Sequence, residues 1–444
     1  MLIYEGDELV LHYEAGDTDY IVITFQGAHH TDTALTSFFA DTPLKKNRIT
    51  ALGVTTKVDH WYISPDTEKI VTLIEEIATD YQQRILIGPS MGGHAAIAFS
   101  KRLKATSVFS CAPKWSLDSN ECDVLQYYVD QNFRPGMEGM GLRQEQTSGQ
   151  IFITYDPEHG VDAYHIQKIS AHLKDAVFIK TFYSGHVVFD HLSGSANLLA
   201  LVNALCSKEA ITDVPRAVSK IRRSHYNNII KRLERSTPHH PLISMSLIEN
   251  YITQKNSLKE KPEILSETRK VLASLYWNNY ENTAQAFTRL IALLIVTETY
   301  VPTVSAMSPK EIGLQRIMTF HGTILCYDIQ SKNLACQDSF IPDKAAQPVL
   351  RSPENYLCIS LHGQILYLTQ ENNNLVLTYD LQKENALKLL PFDPSHVQNK
   401  KLYRHKTGFL IQTQQGYVCA SPTAEVTLNS PNCLEWESYL CIPH

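Results

Sequence analysis

The order of apolar runs predicts a multidomain chain: a mainly parallel α/β core, an all-α middle segment and an all-β C-terminal region. Three observations carry this. Over residues 1–206 strand-like runs alternate with helical periodicity; over 207–305 only helical spacing is found; over 316–444 short β-runs are separated by glycine turns. A length of 444 residues suits such a plan, at about 150 residues per domain.

In the first region, Leu2–Tyr4 and Leu9–Tyr13 read as short strands, and Tyr20–Phe25 (YIVITF) is the continuous apolar run of a strand buried on both faces. Another such run surrounds Ile49–Val54. Pro65 and Asp66 open a helix whose Ile70, Leu73, Ile74 and Ile77 recur at helical spacing. Arg84–Ile87 is the next strand, Gly92–Leu103 a helix and Thr106–Cys111 a strand. An irregular stretch over 114–149 precedes the strand Ile151–Tyr155, the helix Asp162–Leu173, the strand Val177–Tyr183 and a closing helix from Val187 to Leu205. Repeated alternation of this kind implies a parallel sheet covered by helices on both faces.

The pattern then changes. Val218, Ile221, His225, Ile229 and Leu233 form one amphipathic stripe, and apolar clusters follow around Val271–Trp277 and Ala284–Val296. Residues 208–235 hold eight basic and three acidic side chains. That run reads as a solvated helix face or as a contact surface for an anionic partner. Pro302 and Pro309 bracket a linker.

Three later stretches resemble one another: IMTFHGTILCYDIQSKNLACQ, YLCISLHGQILYLTQENNNLVL and FLIQTQQGYVCASPTAEVTL. Each reads as strand, glycine turn, strand, polar turn, strand, with turn glycines at Gly322, Gly363 and Gly416. Three copies of a hairpin unit that cannot bury its apolar face alone suit a β-trefoil, with a small β-sandwich as the alternative. Gly416–Ser421, followed by Leu434-Glu435-Trp436-Glu437, resembles the fascin-type trefoil repeat.

Composition excludes other classes. Hydrophobic residues make up 43%, charged residues 19%, and the net charge is −6. The chain is neither a generally basic nucleic-acid binder nor an acidic disordered one. MLIYEGDELV lacks the basic region of a secretory leader, and the longest apolar run, Leu290–Val296, is far shorter than the roughly 20 residues a membrane helix needs. Nine cysteines, an odd number without a CxxC pair, read as thiols in a reducing cytoplasm. The expectation is a cytoplasmic protein with no membrane span, no nucleic-acid partner, no cofactor and no metal.

The chemistry is concentrated in Gly88-Pro89-Ser90-Met91-Gly92-Gly93, which directly follows an apolar strand and opens a helix rich in small residues. A serine on such a sharp turn is exposed at the carboxyl end of the sheet and at a helix N-terminus, where developing negative charge is favoured. It needs a base, and the base an orienting acid. In chain order the candidates are Ser90, then Asp156 at the end of the strand IFITY, then His186 in Ser184-Gly185-His186. Asp162 is the alternative acid, although its place before a helix also suits an N-cap; His191 is the alternative histidine but falls within the expected closing helix. Oxyanion donors are expected at Met91 and at Gln26 or a neighbour, where Gly27 permits close backbone approach. His29, His30 and Asp32 read as loop polarity rather than a metal set.

On the elbow, the strand order and the order Ser90–Asp156–His186, residues 1–206 resemble the α/β-hydrolase family. With Val58-Asp59-His60-Trp61-Tyr62 and Tyr155-Asp156-Pro157, they resemble more narrowly a bacterial hydrolase group linked to surface-polysaccharide production. The departures are the lack of a His-Gly-Gly-Gly motif and an insertion at 114–149 too short for a large lipase lid. The resemblance implies a serine hydrolase, a carboxylesterase cleaving an acyl ester through an acyl-enzyme. A small ester is the expected substrate, or an acylated glycan if the trefoil binds carbohydrate. The alternative is a non-catalytic protein that binds a glycan or a protein partner on a hydrolase scaffold.

Overall fold

The computed structural model describes residues 1–124, 126–255, 262–295, 313–338, 346–361, 364–371, 374–381, 384–392, 408–421, 425–431 and 438–443. The chain divides into two compact units, Met1–Asn228 and Ile229–His444.

The first unit is built on eight strands: β1 (Leu2–Glu5), β2 (Leu9–Glu14), β3 (Tyr20–Phe25), β4 (Ala51–Thr56), β5 (Gln83–Pro89), β6 (Ser107–Cys111), β7 (Gln150–Tyr155) and β8 (Val177–Lys180). They form one sheet in the order β1-β2-β4-β3-β5-β6-β7-β8. The pairs β1–β2 and β2–β4 are antiparallel and the remaining five are parallel. Seven helices accompany the sheet: α1 (Asp41–Lys46), α2 (Thr67–Ala78), α3 (Ser90–Ala98), α4 (Gln126–Asn132), α5 (Gly160–His172), α6 (Ser195–Leu205) and α7 (Ala210–Ser224).

Side chains alternate across a strand, and both faces here are buried. Ile21, Ile23, Leu86, Val108 and Ile153 pack under α2, α3 and α5, against Ile70, Ile74, Ala95, Ile166 and Ile169. Val22, Ile85, Ile87, Phe109 and Phe152 face the other way, against Leu44 of α1, Leu198, Leu201 and Val202 of α6, and Val214, Val218 and Ile221 of α7. This two-sided burial is why YIVITF has no polar alternation. The stretch 114–149 is anchored by buried Trp115, Leu117, Cys122, Met137 and Leu142.

Two boundaries differ from expectation. The closing helix begins at Ser195, after a 3-10 turn over Val188–Leu192 and Gly194 at φ 114°. The helical segment expected over 207–305 is shared between the units, because the stripe Val218–Ile221 completes the first unit's core. Within the basic run, Arg216 pairs with Asp213 at 3.2 Å and Lys231 with Glu234 at 2.8 Å on exposed surface, as on a solvated helix face.

Helix α8 (Tyr226–Ser236) crosses the division, and α9 (Pro241–Lys255), α10 (Pro262–Trp277) and α11 (Glu281–Ile295) follow. Thirteen antiparallel strands complete the described part of the second unit: β9 (Gln315–Thr319), β10 (Ile324–Asp328), β11 (Asn333–Gln337), β12 (Ala346–Pro348), β13 (Leu350–Arg351), β14 (Leu357–Leu361), β15 (Gln364–Glu371), β16 (Asn374–Thr378), β17 (Lys388–Phe392), β18 (Gly408–Thr413), β19 (Gly416–Ala420), β20 (Val426–Ser430) and β21 (Tyr439–Pro443). Six of them close a circuit. β9 pairs with β13, β13 with β14, β17 with β18, β18 with β21 and β21 with β9, while the bridge Tyr356–Lys388 links the start of β14 to β17. Three hairpins, β10–β11, β15–β16 and β19–β20, project from it. The turn glycines Gly322 (φ 76°) and Gly416 (φ 148°) take left-handed backbone. Gly363, Leu434–Glu437, Pro302 and Pro309 lie outside the described residues. Among the described residues no helix is long and apolar enough to cross a membrane.

Candidate active site

Strand β5 lies at the centre of the sheet between β3 and β6, and its carboxyl end runs straight into α3 at Ser90. Ser90 has φ 49°, a left-handed conformation that side chains other than glycine rarely adopt. The flanking glycines are steric requirements. A Cβ on Gly88 would lie 2.2 Å from the Gly92 carbonyl oxygen, and one on Gly92 would lie 2.2 Å from that of Phe25. Both obstacles are backbone, so no rotamer relieves them.

His186 follows β8 on a loop that turns at Gly185, φ 59°. Its Nε2 lies 3.0 Å from Ser90 Oγ, across 96 residues of sequence. Its Nδ1 lies 2.8 Å from Oδ2 and 3.0 Å from Oδ1 of Asp162. The carboxylate on His186 is therefore that of Asp162, not Asp156. Asp156, at the end of β7, accepts the Glu158 N–H on Oδ1 at 2.9 Å and the Gly185 N–H on Oδ2 at 2.8 Å. Both its oxygens are spent on holding the two loops that flank the site. Asp162 does not cap α5 either: it is the third residue of that helix, and His159 occupies the N-cap. His191 sits in the turn over Val188–Leu192, its ring 4.4 Å from that of His225, and burial lowers its pKa.

Asp162 is fully buried and holds three cationic or potentially cationic neighbours. Besides His186, Lys114 Nζ lies 3.2 Å from Oδ1, and His159 Nδ1 lies 3.0 Å from Oδ2. The His159 contact is at ion-pair distance but is not aligned as a hydrogen bond, and Nδ1 there has no hydrogen-bond partner. Burial alone would raise the Asp162 pKa. The hydrogen bond from His186 and the charges of His186, Lys114 and His159 outweigh it and hold the carboxyl below its usual value. Lys114 and His159 escaped the sequence reading. Lys114 lies in the irregular stretch, and His159 carries no motif of its own, though its spacing of three from Asp162 was a usable signal.

Two further histidines pack behind this group. His94 of α3 donates from Nδ1 to the Lys114 carbonyl at 3.0 Å, and burial pushes its pKa down to about 4. His165 of α5 accepts the Trp115 N–H on Nδ1 at 3.3 Å, and burial followed by the Lys114 charge lowers its pKa to about 3.

Met91 is the second residue of α3, in the first turn, where N–H groups have no intrahelical acceptor. The Gln26 N–H, by contrast, donates to the Val54 carbonyl at 3.2 Å, prolonging the β3–β4 ladder. Gln26 is thus withdrawn as an oxyanion donor. The loop beyond it is braced by the segment Asp59–Tyr62. The Asp59 carboxylate accepts the His29 N–H at 3.1 and 3.2 Å, and Tyr62 Oη donates to the Gln26 carbonyl at 2.8 Å. Trp61 and Tyr62, at φ 54° and 63°, are both left-handed, so the brace is strained backbone. Gly27 is not sterically required, since a Cβ there would meet nothing nearer than Pro89 Cγ at 3.4 Å. His29, His30 and Asp32 do not converge; among the described residues the clustered metal-type donors are His159, Asp162 and His186, within 4.8 Å of one another.

No family model and no curated protein matches the chain. Solved structures do. The capsule O-acetyltransferase of Neisseria meningitidis serogroup A is 12% identical, over 40% of this chain and 85% of that one, at a TM-score of 0.29. A sugar hydrolase (YeeB) from Lactococcus lactis is 18% identical, over 50% and 97%, at 0.32. MGS-MChE2, an alpha/beta hydrolase enzyme from a lagoon-sediment metagenome, is 16% identical, over 45% and 95%, at 0.28. At such scores these likenesses say nothing of this chain's chemistry, which is read from its own distances.

Proposed function

We propose that the first unit is a serine hydrolase that cleaves an acyl ester through an acyl-enzyme. The observation that carries this is the unbroken relay of Ser90 Oγ to His186 Nε2 at 3.0 Å and His186 Nδ1 to Asp162 Oδ2 at 2.8 Å, starting from a serine at φ 49° on a strand-to-helix turn. In this reading Ser90 Oγ attacks the ester carbonyl carbon while its proton passes to His186 Nε2. Asp162 keeps the other imidazole proton on Nδ1 and stabilises the imidazolium. Collapse of the tetrahedral intermediate breaks the bond to the alcohol, which leaves with the proton from Nε2. Water then repeats the sequence on the acyl-Ser90. The Met91 N–H and an N–H of Gly27 or Ala28 hold the oxyanion. The sheet order, with its single reversal between β4 and β3, and the elbow on β5 support an α/β-hydrolase assignment.

The circuit of six paired strands with three hairpins supports reading residues 316–444 as a β-trefoil; the carbohydrate ligand is a proposal that goes with that fold. An acyl group on a glycan is the substrate class that unites the two readings.

The test is labelling by a fluorophosphonate probe together with hydrolysis of p-nitrophenyl acetate. Wild type should label and turn over, and Ser90→Ala should lose both, with kcat down by roughly 10⁴-fold or more. Labelling that survives Ser90→Ala would overturn the nucleophile. Glycan binding with no labelling at all would favour the non-catalytic scaffold.

A further inference from the structure

We infer that His159, Asp162 and His186 form a Zn²⁺ site, and that filling it silences Ser90. The silencing rests on the proposed hydrolase reading; the binding does not. Two imidazole Nδ1 atoms converge on a single carboxylate oxygen, Asp162 Oδ2, at 3.0 Å and 2.8 Å. Two histidines and one carboxylate are a sufficient zinc set when water fills the fourth position. In a tetrahedral site with bonds of about 2.0–2.1 Å, neighbouring donors stand roughly 3.4 Å apart. Each imidazole nitrogen needs to draw back from Oδ2 by about half an ångström, and all three donor atoms already lie within 4.8 Å of one another. The two rings can give that much, because the His159 and His186 side chains are 38% and 36% exposed whereas Asp162 is fixed and buried.

His159 is the feature that a hydrolase relay does not need. Its Nδ1 is inaccessible to solvent, lies 3.0 Å from the carboxylate, and still makes no hydrogen bond. In its neutral form with the proton on Nε2, His159 turns an Nδ1 lone pair toward the carboxylate, and a cation between the two satisfies both. In its protonated form it pairs with Asp162 and gives up that proton when the ion binds. Lys114 opposes the ion, since its ammonium already neutralises Oδ1 at 3.2 Å. It also leaves Oδ2 as the one oxygen on which an ion is bound.

The consequence for the relay is a change of tautomer. A neutral His186 that accepts the Ser90 proton on Nε2 carries its own proton on Nδ1. Zn²⁺ takes the Nδ1 lone pair, so that proton must reside on Nε2, where it points at Ser90 Oγ. His186 stays neutral and releases no proton, but it can no longer accept one from the serine.

The experiment is calorimetric titration of Zn²⁺ into the full chain as wild type, Ser90→Ala and His159→Asn, alongside p-nitrophenyl acetate hydrolysis. Asparagine is a good N-cap, so His159→Asn should keep α5 intact. Wild type and Ser90→Ala should bind one ion with the same affinity, and His159→Asn should bind it at least tenfold more weakly. Hydrolysis by wild type should fall as the ion binds, and hydrolysis by His159→Asn should persist at that concentration. A His159→Asn protein that binds zinc as tightly as wild type would overturn the site, as would a wild type that binds none. Tight, His159-dependent binding in a protein with no hydrolase activity would leave the site standing and remove the hydrolase reading instead.

Discussion

Asp156 and Asp162 lie six residues apart, both are buried, and both reach the loop that carries His186. They do different work. Asp162 bonds the imidazole and Asp156 bonds the backbone beside it, so the two substitutions should separate cleanly. Asp162→Asn keeps the shape but presents an amide where Nδ1–H needs an anion, and should lower kcat by roughly 10⁴-fold. Asp156→Asn leaves one carbonyl oxygen for two N–H donors, turning one contact into a repulsion worth about 1–3 kcal/mol. It should lower Tm with kcat within roughly tenfold of wild type, because it strains the loop without touching the imidazole. A larger kcat loss in Asp156→Asn than in Asp162→Asn would reverse the roles. The chain order of serine, acid and histidine is legible from sequence. The choice of acid is not, because it depends on α5 starting at Gly160 and turning its third residue inward, and helix starts are set by packing as much as by local signals.

At the scale of elements, the elbow was the most legible feature because its constraints are local. Gly88 and Gly92 face backbone at 2.2 Å, and a five-residue motif records that. Gly92→Ala should therefore cost roughly 3 kcal/mol or more, through overpacking that no side-chain motion relieves. Gly27→Ala should be nearly neutral, since its new methyl meets only Pro89 Cγ at 3.4 Å. Thermal melts of the pair check this, and equal Tm losses would refute the steric account. The loop after β3 was less legible for the opposite reason. Gln26 looked like the donor from its place after an apolar strand, yet the ladder continues one residue further and consumes its N–H on Val54. What holds that loop is Asp59, 30 residues downstream of His29. No local spacing reports a tie of that kind. In the second unit the turn glycines Gly322 and Gly416 were legible one by one, while the circuit depends on long-range pairs such as β9 with β21.

For the molecule as a whole, the alternation of strands and helices foretold the parallel sheet, but the division after Asn228 depends on which core buries α7. The first unit also carries a pH liability built from its centre. His94 and His165 are buried and neutral, with pKa values lowered to about 4 and about 3. In the unfolded chain each takes up a proton below about pH 6.5. Between these limits the unfolded state binds more protons than the folded one, so stability falls as the pH falls. The stabilisation is whole above about pH 6.5, and each histidine removes about 1.4 kcal/mol per pH unit below it. Asp162, whose pKa is lowered, acts in the same direction only at lower pH, where its carboxyl begins to protonate in the unfolded chain. The urea midpoint of residues 1–228, followed by proteolysis of peptides from that unit, should drop steadily from pH 6.5 to pH 5. His94→Gln can still donate to the Lys114 carbonyl without carrying an imidazole, and should reduce the slope without abolishing it, since burial also lowers the pKa of His165, His60 and His191. A midpoint that stays level over this range would mean that both rings are protonated within the fold. That outcome would require two further cations in a buried site, one of them, His165, beside a Lys114 ammonium that already pairs with Asp162.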